Sequence, residues 1–517
     1  MPTPILPSGE QFLTILPELV LLAGGMLLLV VEMVWPRNTR LSAVVGIGTL
    51  AAALVALAAP WQLAAEGGRV PFLLNAADPA HTNTLLSLSG TVVSDGLALA
   101  FKAILLTGGL IVMLMSARYG ERFRNPAEFF SLLVFATLAS LLLAGAADLL
   151  MIYLALEFLS ISSYILVGYL KFQPRSTEAS IKYFLYGAIT AAVMLYGMSL
   201  VYGLTGTTNL YPTAGRDFGV QTQLQTLLTS ANTRPAILIA AGLILVGLGF
   251  KTAIVPFHQW VPDVYDGSPT PVMAWLSVVS KAAGFAALVR VFISLFPAQE
   301  WVGPLAILAA LTMVLGNLAA IPQTNIKRLL AYSSISHAGY VLMGVVAWGQ
   351  MQAMGQQLTP WHLYGVPVYL ATYVFMNLGA LAVVLTFYEE NRTHEIDDYA
   401  GLSQRSPVLA WLMVFFLLSL AGIPPTAGFI GKFLLLGAAI AAPGLWWLAV
   451  VAFVTTVISV YYYWRVVQVM FLRPAQRPEM KRREWGIAWA LGLAVFGTAA
   501  IFLGAGGFLE MFRLHLP

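Results

Sequence analysis

The chain has 517 residues, of which 59% are hydrophobic and only 10% charged, with a formal net charge of +4. Soluble domains carry roughly 25% charged residues, so no fold with a wet surface can be built from this composition, and the small, loop-clustered positive excess reads as membrane topology rather than a nucleic-acid footprint. The absence of cysteine excludes disulfides, iron–sulfur ligation and thiol catalysis together.

A span needs about 20 apolar residues at about 1.5 Å each. On that measure the sequence is an all-α polytopic membrane protein with fourteen predicted helices near 12–35, 41–60, 95–117, 126–146, 149–170, 178–204, 234–262, 270–295, 301–322, 327–349, 362–388, 406–440, 443–471 and 486–510. The N-terminus has no basic stretch before its first apolar run, so no cleaved signal peptide is expected. The first span carries Glu18 and Glu32 near its ends, where contact with neighbours or water is expected. Lys102, in the third span, is a lone polar group read as structural rather than functional.

A charged group at the bilayer centre costs several kcal/mol, on the order of 3 on insertion scales, so ionisable residues inside spans are functional candidates. In the fifth span Tyr153, Glu157, Ser160 and Tyr164 share one helical face. Glu157 is read as a proton-loading carboxylate or as a lysine's partner; a carboxyl merely satisfied by neighbouring hydroxyls is the alternative. Lys182, early in the sixth span, is expected to pair with Glu157 across two antiparallel helices, the alternative being reach to the inner surface.

The seventh span holds Lys251 in LGFKTAIVPFHQWVPDVYDGSPTP. Pro256 cannot donate a backbone hydrogen bond, and broken backbone at membrane depth persists only against protein or a water-filled cavity. A lysine at such a break is placed to exchange protons with water, and His258 lies two residues beyond the proline; interfacial capping is its alternative role. In the eighth span, Ser277 and Gly284 make the face of Lys281 polar and narrow, while Arg290 is expected to reach the outer surface. His337, in the tenth span, is a lone polar group read as functional. In the twelfth, Lys432 ends SLAGIPPTAGFIGKF, a break that mirrors the one after Lys251.

If both termini face the outside, the inner loops hold sixteen basic residues: Arg37, Arg40, Arg118, Arg122, Arg124, Lys171, Arg175, Lys327, Arg328, Arg392, Arg405, Arg473, Arg477, Lys481, Arg482 and Arg483. The outer segments hold four, Arg69, Arg216, Arg234 and Arg513, and the bias fixes the orientation. The other seven, Lys102, Lys182, Lys251, Lys281, Arg290, Lys432 and Arg465, lie within predicted spans. The six histidines, His81, His258, His337, His362, His394 and His515, show no pair on one apolar span spaced to grip a haem. No cofactor or metal is expected in the chain.

Five spans over 126–297 and five over 298–471 form two units of nearly equal length, each with its proline-broken helix in fourth place. An odd number of spans per unit inverts the second, the arithmetic of an inverted repeat. Ser160-Ile161-Ser162 falls opposite Ser334-Ile335-Ser336. Residues 1–125 and 472–517 flank the repeats.

FKTAIVPFHQWVPDVYDGSPTPV resembles the broken seventh helix of the antiporter-like subunits of complex I, QTNIKRLLAYSSISHAGYVLMG their ninth-to-tenth-helix connection, and AGIPPTAGFIGKF their broken twelfth helix. Lysine rather than glutamate at the end of the last motif is similar to the N-type (subunit 2) member. The resemblance implies a proton-translocating membrane-arm subunit of an NAD(P)H or ferredoxin:quinone oxidoreductase, with quinone reduction elsewhere in the complex. It also implies a mid-membrane relay of Glu157 with Lys182, then Lys251, Lys281, His337 between the halves, and Lys432. The implied partners are the other membrane-arm subunits, the bilayer, protons and internal water, and no nucleic acid. The general look of the sequence favours the cyanobacterial or plastid form in a thylakoid, serving plastoquinone, with a bacterial plasma membrane as alternative. Two rival functions stay open: an Mrp-type cation/proton antiporter subunit, and a scaffold that keeps the motifs without pumping.

Overall fold

A computed structural model describes residues 9–66, 86–212, 218–230, 232–475 and 484–504. Arg69, His81, Arg216, Arg477, Lys481, Arg482, Arg483, Arg513 and His515 lie outside them, so part of the basic-residue count rests on sequence alone.

Among the described residues, thirteen helices are long and apolar enough to cross a membrane, and Pro407–Ala421 and Ala427–Ala441 are shorter apolar helices. In chain order the main helices are α1 (Leu16–Val34), α2 (Thr39–Ala56), α3 (Gly96–Ser116), α4 (Pro126–Ala144), α5 (Leu149–Val167), α6 (Pro174–Thr205) and α7 (Arg234–Thr252). There follow α8 (Val261–Gly267), α9 (Thr270–Leu295), α10 (Ala298–Ala320), α11 (Ile326–Ala353) and α12 (Pro360–Asn391). The last are α13 (Pro407–Ala421), α14 (Ala427–Ala441), α15 (Trp446–Leu472) and α16 (Trp485–Leu503). Fourteen spans result if α13 and α14 are counted as one broken helix. Helices are the natural answer to an apolar solvent, because each satisfies its own backbone groups. Their ends are written in the sequence: Asn38, Asp95, Asp148 and Asn325 accept backbone N–H groups at the starts of α2, α3, α5 and α11. Proline occupies the first turn of α4, α6, α7, α12 and α13.

Both expected breaks are present. The helix bearing Lys251 ends at Ala253, which takes a left-handed conformation (φ 62°), and the chain resumes as α8. The one before Lys432 ends at Gly422 (φ 82°), and α14 resumes at Ala427. Val255–Pro256 and Pro424–Pro425 are cis. One further irregularity was not foreseen: α9 passes through a π-helical turn at Leu276–Ser280, directly before Lys281.

Burial sorts the helices into a centre and a rim. The apolar window of α9 is 100% buried, that of α11 94% and that of α12 89%, against 33% for α6. Lys281 and His337 therefore ride on the innermost helices. Close approach there uses glycine: a side chain at Gly316 of α10 would strike the backbone of Ser336 on α11.

Candidate functional site

The Lys251 ammonium is buried beside the last turn of α7, 3.2 Å from Ser160 Oγ and 3.3 Å from Tyr183 Oη. Both partners are neutral. The charge that acts on it is Glu157, whose Oε1 is buried with no hydrogen-bond partner. Tyr183 stacks on Trp260, ring centroids 4.5 Å apart, and the Trp260 indole N–H donates to the Phe250 carbonyl, so the aromatic stack fixes the break and the lysine together.

Lys281 donates to the Ser334 carbonyl at 2.7 Å and to Ser334 Oγ. Gly284, one turn later, lies against the Lys251 stem: a Cβ there would come within 3.2 Å of Lys251 Cγ. The absence of a side chain lets the helices of the two lysines meet. The Ser-Ile-Ser parallel thus gains a physical meaning, since Ser160 receives Lys251 and Ser334 receives Lys281.

His337 stands between Lys281 and Lys432 and feels both charges. Its Nδ1 bonds Tyr369 Oη, its Nε2 is 3.5 Å from Tyr463 Oη, and the Tyr373 ring lies 4.9 Å away. Lys432 donates to the Ala421 carbonyl at 3.0 Å, over the open end of α13, and lies 4.8 Å from the Tyr340 ring. In the second half, therefore, the lysine caps the broken helix, whereas in the first it turns to side-chain hydroxyls.

Two expectations need correction. Lys182 does not pair with Glu157. Its ammonium is 2.8 Å from Asp263 on α8 and 2.8 Å from Glu178 one turn back, in a position 40% exposed. It lies in the third turn of α6, and the resumed helix after the break brings a carboxylate closer than Glu157. Arg328 takes the other Asp263 oxygen at 3.0 Å. Partial burial works to raise the Asp263 pKa, but the hydrogen bonds from Lys182 and Arg328 outweigh it and hold the carboxyl below its ordinary value. Nor does Arg290 reach the outer surface: it is fully buried and forks onto Asp95 at 2.8 and 2.9 Å, with Tyr211 Oη at 3.3 Å.

Other polar groups find structural partners. Lys102 forms a buried ion pair with Glu18 at 2.7 Å, while Glu32 accepts the Ala127 N–H at the start of α4. Arg465 caps the end of α10 through the Ile321 and Gln323 carbonyls. Lys327 is buried, not a free loop cation, and caps α8 through the carbonyls of Asp266 (2.9 Å) and Ser268 (2.7 Å). His258 is half-buried just past the break, with Nδ1 unpartnered. His362 bonds Thr359 and the Ala438 carbonyl, and His394 stacks on Tyr388. Burial, aided by the charges of Lys327 and Arg175, pushes His394 down to about 3. No metal-holding group of His, Asp or Glu occurs among the described residues.

Asp95 and Arg290 make a testable pair. Removing one member of a buried ion pair strands the other charge and typically destabilises by about 3–5 kcal/mol, whereas an apolar replacement of both is far milder. Arg290→Met is expected to lower the melting temperature of the detergent-extracted protein, and adding Asp95→Leu to recover part of the loss. Equal or greater loss in the double variant would mean the pair is not the unit.

Residues 146–459 match the profile described as NADH:quinone oxidoreductase/Mrp antiporter, transmembrane. Koribacter versatilis NADH-quinone oxidoreductase subunit N 1 is 39% identical over 98% of this chain and 95% of its own. Nostoc sp. NAD(P)H-quinone oxidoreductase subunit 2 is 40% identical over 92% of this chain and 86% of its own. Among solved structures, a chain of Thermus thermophilus respiratory complex I superposes with a TM-score of 0.74 at 33% identity, covering 96% of this chain and 98% of that one. A chain of the Mrp complex from Dietzia sp. reaches 0.78 over 98% of this chain and 96% of that one, but at 22% identity, a likeness of fold alone.

Proposed function

This chain belongs to the NADH:quinone oxidoreductase/Mrp antiporter family, and from that premise we propose how its buried charges work as subunit N (subunit 2) of a complex I. It is an antiporter-like, proton-translocating membrane subunit, and the other membrane-arm subunits are its partners. Electron transfer to quinone takes place elsewhere in the complex.

In this reading Glu157, Lys251, Lys281, His337 and Lys432 hold protons in turn along the middle of the bundle. Lys182 governs the charge of Glu157, and His258 meets water at the α7–α8 break. One observation carries it: three buried lysines are held by neutral hydroxyls and carbonyls rather than by carboxylates. An ammonium locked into an ion pair has nowhere to send its proton, while one resting on hydroxyls can release it to a neighbour or to water. Two unit charges about 7 Å apart at an effective dielectric of about 20 interact by about 2.4 kcal/mol. Movement of the Glu157 charge is therefore enough to shift a proton between Lys251 and Lys281. The π turn before Lys281 and the breaks after Lys251 and before Lys432 give the backbone polar groups that can order water. The two breaks, each beginning at a left-handed residue, support the reading of 126–297 and 298–471 as an inverted pair.

The test uses sealed vesicles carrying the whole complex. Quinone reduction is expected to move protons without added Na⁺. A Na⁺ requirement would favour the Mrp-type alternative, and full pumping by a complex with its relay lysines neutralised would favour the scaffold. The Nostoc relative supports a thylakoid location with plastoquinone as acceptor, and the Koribacter relative supports the plasma-membrane alternative with equal weight. Co-fractionation with chlorophyll-bearing membranes decides between them.

Orientation is open to a direct check. The inner-loop reading puts Phe172, 90% exposed, on the cytoplasmic or stromal side and both termini on the other. In this cysteine-free chain, Phe172→Cys is expected to react with an impermeant thiol reagent only from that side. Labelling from the lumenal or periplasmic side alone would overturn the topology.

A further inference from the structure

The displaced partner of Lys182 raises a question of its own: what does Asp263 do? Lys251 ends the first half of the broken span, and Asp263 lies in the second half, α8. The two oxygens of Asp263 are divided between two cations, Oδ2 to Lys182 at 2.8 Å and Oδ1 to Arg328 at 3.0 Å. Arg328 lies in the first turn of α11, the helix that carries Ser334 and His337. Lys327, beside it, caps α8 through the carbonyls of Asp266 and Ser268. Through these contacts α8 is fastened to α11, and Lys182 is fastened to α8.

Lys182 also lies within range of Glu157. Ser180 Oγ donates to the Tyr164 carbonyl at 2.8 Å, which puts that turn of α6 level with Tyr164 on α5. Glu157 is seven residues further along α5, about 10 Å of rise, and Lys182 two residues beyond Ser180, about 3 Å. The remaining offset of about 7 Å lies within the combined reach of a flexible four-carbon ammonium stem and a glutamate side chain. Tyr183, the residue after Lys182, packs against Tyr164 at 4.8 Å, so this stretch of α6 lies beside the Glu157 face of α5.

We propose that Asp263 is the holding partner of Lys182, a positioning residue that receives the ammonium when it leaves Glu157, so that the seating of α8 on α11 sets which carboxylate Lys182 neutralises. With Lys182 on Asp263, as here, the Glu157 charge acts on Lys251. With Lys182 on Glu157, that charge is cancelled and Lys251 loses its support. The inference rests on the relay reading above and adds the element that links the first-half switch to the helix of the second half. Glu178, on the same helix as Lys182 and 64% exposed, can steady the ammonium but cannot report on another helix.

The test is a double-mutant cycle on proton pumping in the assembled complex, using Lys182→Met, Asp263→Asn and both together. Residues acting as a unit are non-additive. Each single variant is expected to lower protons pumped per electron by roughly tenfold, and the double to be no worse than either single. Asp263→Glu is expected to restore pumping, and Arg328→Gln, which loosens α8 from α11, to weaken the Lys182–Asp263 coupling. Multiplicative losses would overturn the proposal, as would a coupling left unchanged by Arg328→Gln, since the seating of α8 on α11 would then not set the choice. If Asp263→Asn does not assemble, Asp263→Ser replaces it, and failure of both neutral variants assigns the carboxylate to structure and equally overturns it. Glu157→Gln separates the two levels: full pumping by that variant defeats the relay reading itself. Lost pumping there with full pumping by Asp263→Asn defeats only the role of Asp263.

Discussion

Replacing Lys251 by methionine, or Glu157 by glutamine, is expected to leave the complex assembled and to remove most of its proton pumping. Lys251 is 1% exposed, and its contacts are a serine hydroxyl, a tyrosine hydroxyl and an aromatic face. Methionine fills nearly the same space with a flexible apolar chain, and the stranded hydroxyls can bond within their own helices or to water. Structure should survive for that reason, while the proton carrier is gone. Glu157→Gln keeps the shape and removes the charge. A unit charge about 7 Å from another at an effective dielectric of about 20 is worth about 2.4 kcal/mol, on the order of fiftyfold in proton occupancy. The measurement is protons moved per electron in sealed vesicles, read beside the rate of quinone reduction. If coupling is tight, both fall together; if loose, only the ratio falls. An unchanged ratio in both variants would leave the scaffold reading standing.

The second large effect is expected at Lys281. Both of its hydrogen bonds go to one residue, Ser334 on α11, and His337 follows one helical turn later. Lys281→Met should therefore cut the link between the lysine beside Lys251 and the histidine that feels both Lys281 and Lys432. Pumping is expected to fall at least as far as in Lys251→Met, because no other charged side chain in the described residues donates to Ser334. His337→Gln is expected to be milder, since the hydroxyls of Tyr369 and Tyr463 flank that position, one at each ring nitrogen, and can hold a water in place of the ring. A harmless Lys281→Met beside a damaging His337→Gln would reverse the order and require a route that bypasses α9.

Much of this site is legible in the sequence alone, for a definite reason. A lysine in a run such as VVSKAAGFAALV has no solvent to reach, so burial follows from position alone, and prolines at membrane depth announce the breaks. What was not legible is pairing. Lys182 was matched to the carboxylate on the adjacent helix, but Asp263 is brought nearer by the direction α8 takes after the break, which no helical periodicity encodes. Arg290 was read by its nearness to the outer end, and its partner Asp95 was hidden in the role of an N-cap. Glu18 and Lys102 were weighed singly, although both lie within the first two turns of helices α1 and α3. Matching isolated charges of opposite sign by depth would have found this pair and the Asp95–Arg290 pair, whereas Lys182 had two acceptable partners and depth alone could not choose.

The wide turn at Leu276–Ser280 has a consequence for how this helix tolerates change. A residue accommodated as a bulge advances the chain without advancing the contacts, so the segment before it and the segment after it are phased independently. Loss of one residue there, Val279 for instance, would be absorbed by closing the wide turn to an ordinary α-turn, whereas the same loss elsewhere in α9 would turn one end of the helix by about 100° relative to the other. Ser277, which accepts the Asn377 amide, would stay on α12 while the lysine kept its place on Ser334. A one-residue gap at this point in aligned sequences is thus to be interpreted as a bulge lost, with both ends of the helix keeping their faces.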